Sequence, residues 1–355
     1  MTNTKPALLA YHHVALLCAS IGFGCAMHQH TMAQADLDKD GIEDKEEQLQ
    51  LEKYLPYIIF DHDEPIFPTS AIWMVQHSIL LDGSGKTTAD MARLDSHPEA
   101  ILEGPGTWTS NRPLSDLKLS TRDPYRTGQF KEDKQKLNDV PIYGHFVPIT
   151  SSNKFSYAKS SVTFSSGYLA QYWMLFTYND THAFDKIPDT AKDLGDHEGD
   201  WVWIDVILDE QKKPTYVVYH HHGDSTIPPS VVPWDKVEKE KDAPKVFLEK
   251  GTHEAWETPG EGHGISGALR SAIGALIGED DPSIIIEPHA GNGETWHPKK
   301  VWNLGEPGRP ISQELDPKLA LLFSGLWGSY AVGTKAHPVT CPPGPVNQFY
   351  PTVER

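Results

Sequence analysis

Two apolar stretches decide the fold: Tyr168-Leu-Ala-Gln-Tyr-Trp-Met-Leu-Phe-Thr-Tyr178 and Trp201-Val-Trp-Ile-Asp-Val-Ile-Leu208. Each stretch is almost continuously apolar or aromatic. A strand with one face in water alternates between apolar and polar residues, whereas a strand buried on both faces reads as a continuous apolar run. We therefore expect both stretches to form central strands of a sheet whose two faces are covered.

The rest of the chain is rich in short β-type runs separated by Pro, Gly, Asn and Asp. The further strand candidates are Tyr57–Phe60, Ile142–Val147, Phe155–Tyr157, Thr215–His221, Lys245–Leu248 and Ser283–Glu287. Helical patterns are fewer, at Ser70–Leu81 and Ile265–Ile277, and Ser110–Asn138 follows neither period. Strands and helices do not alternate regularly, so the pattern predicts a mainly-β fold, an antiparallel β-sandwich with helical and long-loop insertions.

The first 35 residues have the layout of a secretory signal. Lys5 is their one charge, the apolar stretch Ala7–Met27 follows, and the small-x-small triplet Ala33-Gln34-Ala35 precedes an acidic run. This layout predicts cleavage after the triplet and a secreted or periplasmic mature protein. A lipoprotein anchor at Cys25 is less favoured, because Gly22-Phe23-Gly24 is a poor approach to a lipidated cysteine. An uncleaved N-terminal anchor is the third interpretation.

The charge balance narrows the class of partner. The chain carries a net charge of −18, which argues against nucleic acid and anionic membrane surfaces and favours cations. Removal of the signal leaves Cys341 as the one cysteine, so stability must come from a core rather than from an internal disulfide, and a bound metal could add to it. No other apolar run approaches about 18 residues, so no transmembrane helix is expected in the mature chain. The sequence leaves the oligomeric state open.

The mature chain would begin with a calcium loop, Asp36-Leu-Asp-Lys-Asp-Gly-Ile-Glu-Asp-Lys-Glu-Glu47. Calcium takes roughly six to eight oxygen ligands, and such a loop supplies them at fixed positions around a sharp glycine turn. The predicted ligands are the side chains of Asp36, Asp38, Asp40, Asp44 and Glu47 and the backbone carbonyl of Ile42. Gly41 stands at the turn, so every position holds a suitable residue. A solvated acidic run without an ion is the alternative.

The single loop at the head of an exported chain is similar to thrombospondin type 3 and dockerin-type calcium repeats. That resemblance implies a structural clasp that rigidifies the N-terminus rather than a calcium sensor. Residues 45–55 are predicted to form a short amphipathic helix that Pro56 ends, with Glu47 in its first turn.

Histidines and acids concentrate at the ends of predicted strands. The segments are Gly195-Asp-His-Glu-Gly-Asp-Trp201, His220-His-His222 with Asp224, and Gly251-Thr-His-Glu254, followed by His289 and His297. Neighbouring strands of a sandwich bring their end loops together, and a histidine beside carboxylates can ligate a divalent metal or transfer protons. Because side chains alternate along a strand, His221 should face away from His220 and His222. Polar loops without a shared site are the alternative.

Blocks along the chain resemble the Vps62-like (DUF946) family. They are Tyr54–Phe60, Phe67–Trp73, Pro141–Tyr143, Gln171–Asn179, His197–Trp201, His220–His222, Gly251–His253, Phe323–Gly328 and Pro343–Pro345. The resemblance implies a Vps62-like β-sandwich at 54–348. With the signal peptide at 1–35 and the calcium loop and helix at 36–53, it leaves a tail at 349–355. It brings no established activity.

The block His197–Trp201 is also distantly similar to the necrosis-inducing cytolysins. In those proteins its His and Asp, with a Glu after the Trp, resemble a divalent-metal site at the membrane-facing end of a sandwich. Here His197 and Asp200 keep their places, but Val202 stands where that Glu belongs. The resemblance therefore implies a metal site whose third ligand is Glu198 or a histidine from another loop.

These observations leave three functions open. The first is a metal-dependent hydrolase, whose second divalent metal would be held by His197, Glu198 and Asp200. Its catalytic residues around a metal-bound water would be His197, Asp200, His221 and His253. The second is a non-catalytic, cytolysin- or lectin-like protein that binds a glycan or a lipid head group, with Ile265–Ile277 either touching the membrane or buried. The third is a purely structural surface protein.

Overall fold

This computed structural model of the chain describes residues 36, 40–81, 118–121, 134–152, 154–157, 162–180, 195–221, 228–261, 289–304, 326–329, 331, 342, 344 and 345. These residues all belong to one compact unit, Ala35–Arg355. The predicted signal at 1–35, the helix at Ile265–Ile277 and the strand at Ser283–Glu287 lie outside the described residues.

The described elements are mostly strands. The strands are β1 (Tyr57–Asp61), β2 (Ser78–Leu81), β3 (Lys118–Thr121), β4 (Ile142–Ile149), β5 (Phe155–Ser156), β6 (Thr163–Phe164), β7 (Gly167–Asn179), β8 (His197–Leu208), β9 (Pro214–Tyr219), β10 (Ser230–Pro233), β11 (Lys239–Glu240), β12 (Ala243–Leu248), β13 (Ala255–Trp256), β14 (Gly260–Glu261), β15 (His289–Ala290), β16 (Asn292–Trp296) and β17 (Val301–Asn303). The helices are α1 (Asp44–Lys53), α2 (Ala71–Gln76) and a 3-10 turn at Lys134–Asp139.

The two stretches that decide the fold are the longest strands, β7 and β8, at the centre of a six-stranded sheet. Its order is β10-β9-β8-β7-β4-β17. β7 and β8 pair antiparallel over almost their whole length, with Trp173 opposite Trp203. A second sheet has the order β11-β12-β1-β16, with β13 beside β12. Two pairings depart from the predicted antiparallel pattern, since β1 runs parallel to β12 and β17 runs parallel to β4.

The main core lies between these two sheets. From β7 and β8 it takes side chains such as Met174 and Ile204, and from the facing sheet Ile58, Val246 and Trp296. Because side chains alternate along a strand, the neighbouring residues of β7 and β8 point to the opposite face. The mainly-β, sandwich-like fold predicted from the sequence is confirmed.

The opposite face of β7 and β8 is covered as well, which explains why both strands are apolar at nearly every position. Trp173 and Trp201 pack there against Met74 of α2, Leu119 of β3 and the buried Trp327. The predicted helix Ser70–Leu81 is wrong in its second half. It ends after α2, and the apolar residues that follow form β2, which pairs with β3. Within the described residues, no helix is long and apolar enough to cross a membrane.

α1 agrees closely with the helix predicted at residues 45–55 and lies against the edge of the six-stranded sheet. Leu51 is fully buried, and a Cβ at Gly144 of β4 would lie 2.7 Å from Val301 Cγ2 and 2.8 Å from Leu51 Cδ1, so a larger residue there would displace these side chains. The hydroxyl of Tyr172 donates to the Leu51 carbonyl at 3.0 Å. Near the start of α1, Lys212 forms an ion pair with Glu46 at 2.7 Å. The helix is therefore part of the sandwich rather than an appendage.

Candidate functional site

The predicted calcium loop turns at Gly41, whose φ of +95° lies in the left-handed region that favours glycine. Its N–H donates to Asp36 Oδ2 at 3.2 Å, and the N–H of Ile42 donates to Asp40 Oδ1 at 2.7 Å. The Ile42 side chain is part of the main core, which fixes this part of the loop to the sandwich. Asp38 lies outside the described residues.

The second half of the loop is the start of α1. Asp44 is its first residue and Glu47 lies in its first turn, where the bidentate ligand of a calcium loop belongs. Glu47 is fully buried, and its Oε2 accepts a hydrogen bond from Asn303 Nδ2 at 2.6 Å. At the other end of the loop, Asp36 Oδ1 is buried and accepts no hydrogen bond from the described residues. These carboxylates are hard oxygen donors, which is the ligand type that calcium prefers.

A second group of charges joins the two sheets and is centred on His253. Its Nδ1 lies 2.8 Å from Asp200 Oδ2, and its Nε2 lies 3.3 Å from Glu64 Oε1. The ring is fully buried and stacks on Phe176, with centroids 3.8 Å apart. We call His253, Asp200 and Glu64 the His253 centre. Sequence reasoning found the first two residues but missed Glu64, which stands in no recognisable motif.

The His253 centre holds a charged imidazole. Burial alone would lower the pKa of His253, but the charge of Glu64 and the hydrogen bonds to Asp200 and Glu64 outweigh burial and raise this pKa to about 9. Glu64 is itself fixed, because Oε1 accepts from the N–H of Ile66 at 2.8 Å and Oε2 accepts from that of Gly251 at 2.9 Å. The protonated imidazole therefore balances a carboxylate on each side.

The turn between β12 and β13 directs His253 into this position. His253 has a φ of +58°, a conformation that costs a non-glycine residue on the order of 1–3 kcal/mol. Its N–H donates to the carbonyl of Glu249 at 3.0 Å. Burial, with the charge of Glu254 next in importance, raises the pKa of the Glu249 carboxyl well above its usual range, and the Thr252 hydroxyl donates to this carboxyl. The contacts of the centre hold the strained turn in place.

His197 opens β8 near the centre, and the charge of Asp200 acts on it. The side chain is buried, and its Nδ1 lies 3.0 Å from the carbonyl oxygen of Gly199. Burial lowers the pKa of His197, and the charge of Asp200 opposes this effect without cancelling it. Unlike His253, His197 is therefore neutral near pH 7.

Glu198 lies in different surroundings from Asp200, although both belong to one strand. Its Oε2 accepts from the N–H and the hydroxyl of Ser329, at 2.9 and 3.2 Å. Its Oε1 accepts from the Ser120 hydroxyl at 3.3 Å. Gly199 separates the two acids with a φ of +63°, and a Cβ there would collide with the backbone oxygen of Trp327. Glu198 thus holds the segment around Ser329 against β8.

The triple histidine divides between the two faces of the sheet, as the alternation of side chains predicts. His220 Nε2 lies 2.9 Å from Asp205 Oδ2 on the outer face, where it stacks on Trp203. His221 faces the second sheet and stacks on Trp256, with ring centroids 3.7 Å apart. His222 and Asp224 lie outside the described residues, as does the side chain of His289. His297 is exposed and contacts the ring of Tyr57.

Of the four predicted catalytic residues, Asp200 and His253 are brought into direct contact, and the charge of Asp200 reaches His197. The contacts described for His221 are with Trp256 and with Ser230 Oγ at 3.4 Å. Among the described residues, one group of three has its ligand atoms within 4.8 Å of one another, and it is Asp61, His62 and Asp63. Asp61 is buried, whereas the other two side chains are exposed. No sequence motif pointed to this group.

The fold and these sites define a mainly-β sandwich protein with an acidic loop before its first helix and a buried acid–histidine centre. No family model matches the chain, and no curated protein matches it. Among solved structures, the chain is similar to necrosis and ethylene inducing protein 2 from the causal agent of cocoa's witches broom disease. The two chains are 9% identical, the similarity covers 77% of this chain and 78% of that chain, and the TM-score is 0.32. Such low values support no inference, so both family resemblances stay predictions.

Proposed function

We propose that this is an exported calcium-binding protein whose ion is held by the loop Asp36–Glu47. The observation that carries the proposal is the turn at Gly41, because its backbone N–H groups engage Asp36 and Asp40 and fold the loop back on itself. A buried oxygen of Asp36 and a buried Glu47 stand at the two ends of this loop. Calcium would supply positive charge to these carboxylates and link the start of the mature chain to α1.

Calcium titration calorimetry on the mature protein tests this proposal. We expect one bound ion in the wild type and none in Asp40→Ala, which keeps the chain length and removes one loop ligand. The matched control is Asp235→Ala, since Asp235 is an exposed aspartate outside the loop, and it should bind as the wild type does. Equal binding by Asp40→Ala, or no heat of binding in the wild type, contradicts the proposal.

A second divalent ion at Asp61, His62 and Asp63 is the next candidate. The observation in its favour is that one ligand atom from each residue falls within 4.8 Å of the others. Elemental analysis of the purified protein should then give two ions per chain, and one ion per chain in His62→Ala. An unchanged metal content in that variant would exclude this site.

For the His253 centre we propose a structural role, because its geometry does not favour a hydrolase. His253 and Asp200 are at most 2% exposed, and both imidazole nitrogens of His253 already face carboxylates. A metal-bound water that attacks a substrate needs an open coordination position and access from solvent.

The non-catalytic alternative, binding of a glycan or a lipid head group, stays a prediction. Its test is leakage of lipid vesicles with calcium and with a chelator.

A further inference from the structure

Glu47, the last predicted ligand of the calcium loop, is in contact with a residue from the far end of the chain. Asn303 Nδ2 donates to Glu47 Oε2 at 2.6 Å, across 256 residues of sequence. Glu47 is fully buried and Asn303 is 4% exposed. The hydrogen bond is therefore shielded from water, which makes it stronger than the same contact at the surface.

Asn303 is itself held rigidly. It ends β17 and pairs with Gly144 of β4 in parallel register, and the next N–H, that of Leu304, donates to the Gly144 carbonyl at 2.7 Å. The residue after Glu47 makes a second contact with this strand, because Gln48 Nε2 donates to the carbonyl of Val301 at 3.1 Å. Among the described contacts, two side-chain hydrogen bonds thus join α1 to β17, of which one reaches a predicted ligand and the other does not.

A neutral amide suits this position beside a calcium ligand. A carboxylate oxygen has two lone pairs, so it can accept from an amide and still coordinate an ion. A Lys or Arg in the same place would bring a competing positive charge, whereas an Asn fixes the plane of the carboxylate and leaves its charge for the ion. Residues that orient a metal ligand in this way typically contribute about 10–100-fold in affinity.

We propose that Asn303 is a positioning residue of the calcium loop, which orients the Glu47 carboxylate and couples the bound ion to β17. This inference rests on the proposed calcium-binding function. By thermodynamic linkage, the two effects are equal in free energy. If the contact of Asn303 with Glu47 increases calcium affinity, bound calcium stabilises the contact between α1 and β17 by the same amount.

Calorimetry on the mature protein with calcium chloride tests the inference. Asn303→Leu keeps the side-chain size and removes the donor, so calcium affinity should fall about 10–100-fold. Gln48→Ala is the matched control, because it breaks the other hydrogen bond between α1 and β17 without touching Glu47, and it should bind as the wild type does. Asn303→Ala, which has a smaller side chain and no donor, gives a second variant in case leucine prevents folding.

The effect of calcium on hydrogen exchange at the Leu304 amide is a second measurement, and a purely structural role of Asn303 would not change this effect. Calcium should slow this exchange in the wild type and in Gln48→Ala, and should lose that effect in the Asn303 variants. The inference is overturned if both Asn303 variants bind calcium as tightly as the wild type. It is also overturned if Gln48→Ala loses as much affinity as they do, since helix docking alone would then explain the loss. If the wild type binds no calcium, the proposed function itself is wrong. If the wild type binds calcium and the Asn303 variants bind it equally well, only the role of Asn303 is wrong.

Discussion

The proposed calcium loop and the His253 centre both contain several carboxylates, but we expect their charges to be balanced in different ways. In the His253 centre, Asp200 and Glu64 face a protonated imidazole that the chain supplies itself. In the loop, Asp36 and Glu47 are acids for which the proposed counter-charge is an ion from solution. The centre should therefore respond to pH, and the loop should respond to calcium.

The loss of the chain's own counter-charge should have the largest effect. In His253→Ala two buried carboxylates would be left without their cation, which typically costs about 3–5 kcal/mol. Urea unfolding, followed by tryptophan fluorescence, measures this loss. His297→Ala, which removes an exposed histidine, should change the free energy of unfolding by less than about 0.5 kcal/mol. Equal effects of the two substitutions would remove the distinction between the centre and an ordinary surface histidine.

A rise in pH should act on the centre and spare the loop. The pKa of His253 is raised from 6.5 to about 9 in the folded protein, so its stabilising contribution is complete below about pH 6.5 and is lost as pH rises through 9. The free energy of unfolding should fall by about 2–3 kcal/mol over that window. His197 has a lowered pKa and acts in the opposite sense, since it costs stability only below about pH 6.5. Asp36→Ala should show the same slope as the wild type, and a flat profile in the wild type would refute a charged His253.

Removal of calcium should act on the loop alone. At a calcium concentration about 100 times the dissociation constant, the ion stabilises the folded chain by about 2.7 kcal/mol. A chelator should therefore lower the melting temperature of the wild type by more than that of Asp36→Ala. If the chelator destabilises both proteins equally, the ion is bound elsewhere, and the group at Asp61–Asp63 becomes the first place to look.

The smallest effect is expected at Glu198, which decides whether the centre extends to a metal site. Glu198→Gln keeps an acceptor for Ser329 but loses the charge of the carboxylate, so stability should fall by about 1 kcal/mol. The metal content should not change. A loss of bound metal in this variant would make Glu198 a ligand and restore the hydrolase hypothesis.

The parts of the fold that depend on local pattern were predictable from the sequence. Local sequence pattern is enough to predict three of the elements. They are strands β7 and β8, from their apolar stretches, and the helix α1 that follows the loop. The opposite orientation of His220 and His221 follows from the two-residue period of a strand. The boundary between α2 and β2 was missed, because no Gly or Pro separates the two apolar segments and the strand that follows the helix is defined by the pairing of β2 with β3.

The missed parts of the candidate sites come from contacts between distant segments. Glu64 reaches His253 because β1 and β12 pair in parallel. No local sequence pattern predicts this pairing. Glu198 and Asp200 look like one ligand set in sequence, but the left-handed backbone of Gly199 and the close approach of Trp327 separate them. Asn303 ends a strand of three residues whose sequence has no signature of its own.

The contact between Glu47 and Asn303 also bears on the order in which the chain folds. Its 256-residue separation means that most of the chain must be ordered, and a large loop-closure entropy overcome, before the two side chains meet. Such a contact is expected to be absent from the folding transition state. An ion that stabilises it should leave the refolding rate nearly unchanged and slow unfolding instead. Bound calcium would then determine how long the folded protein persists rather than how fast it folds.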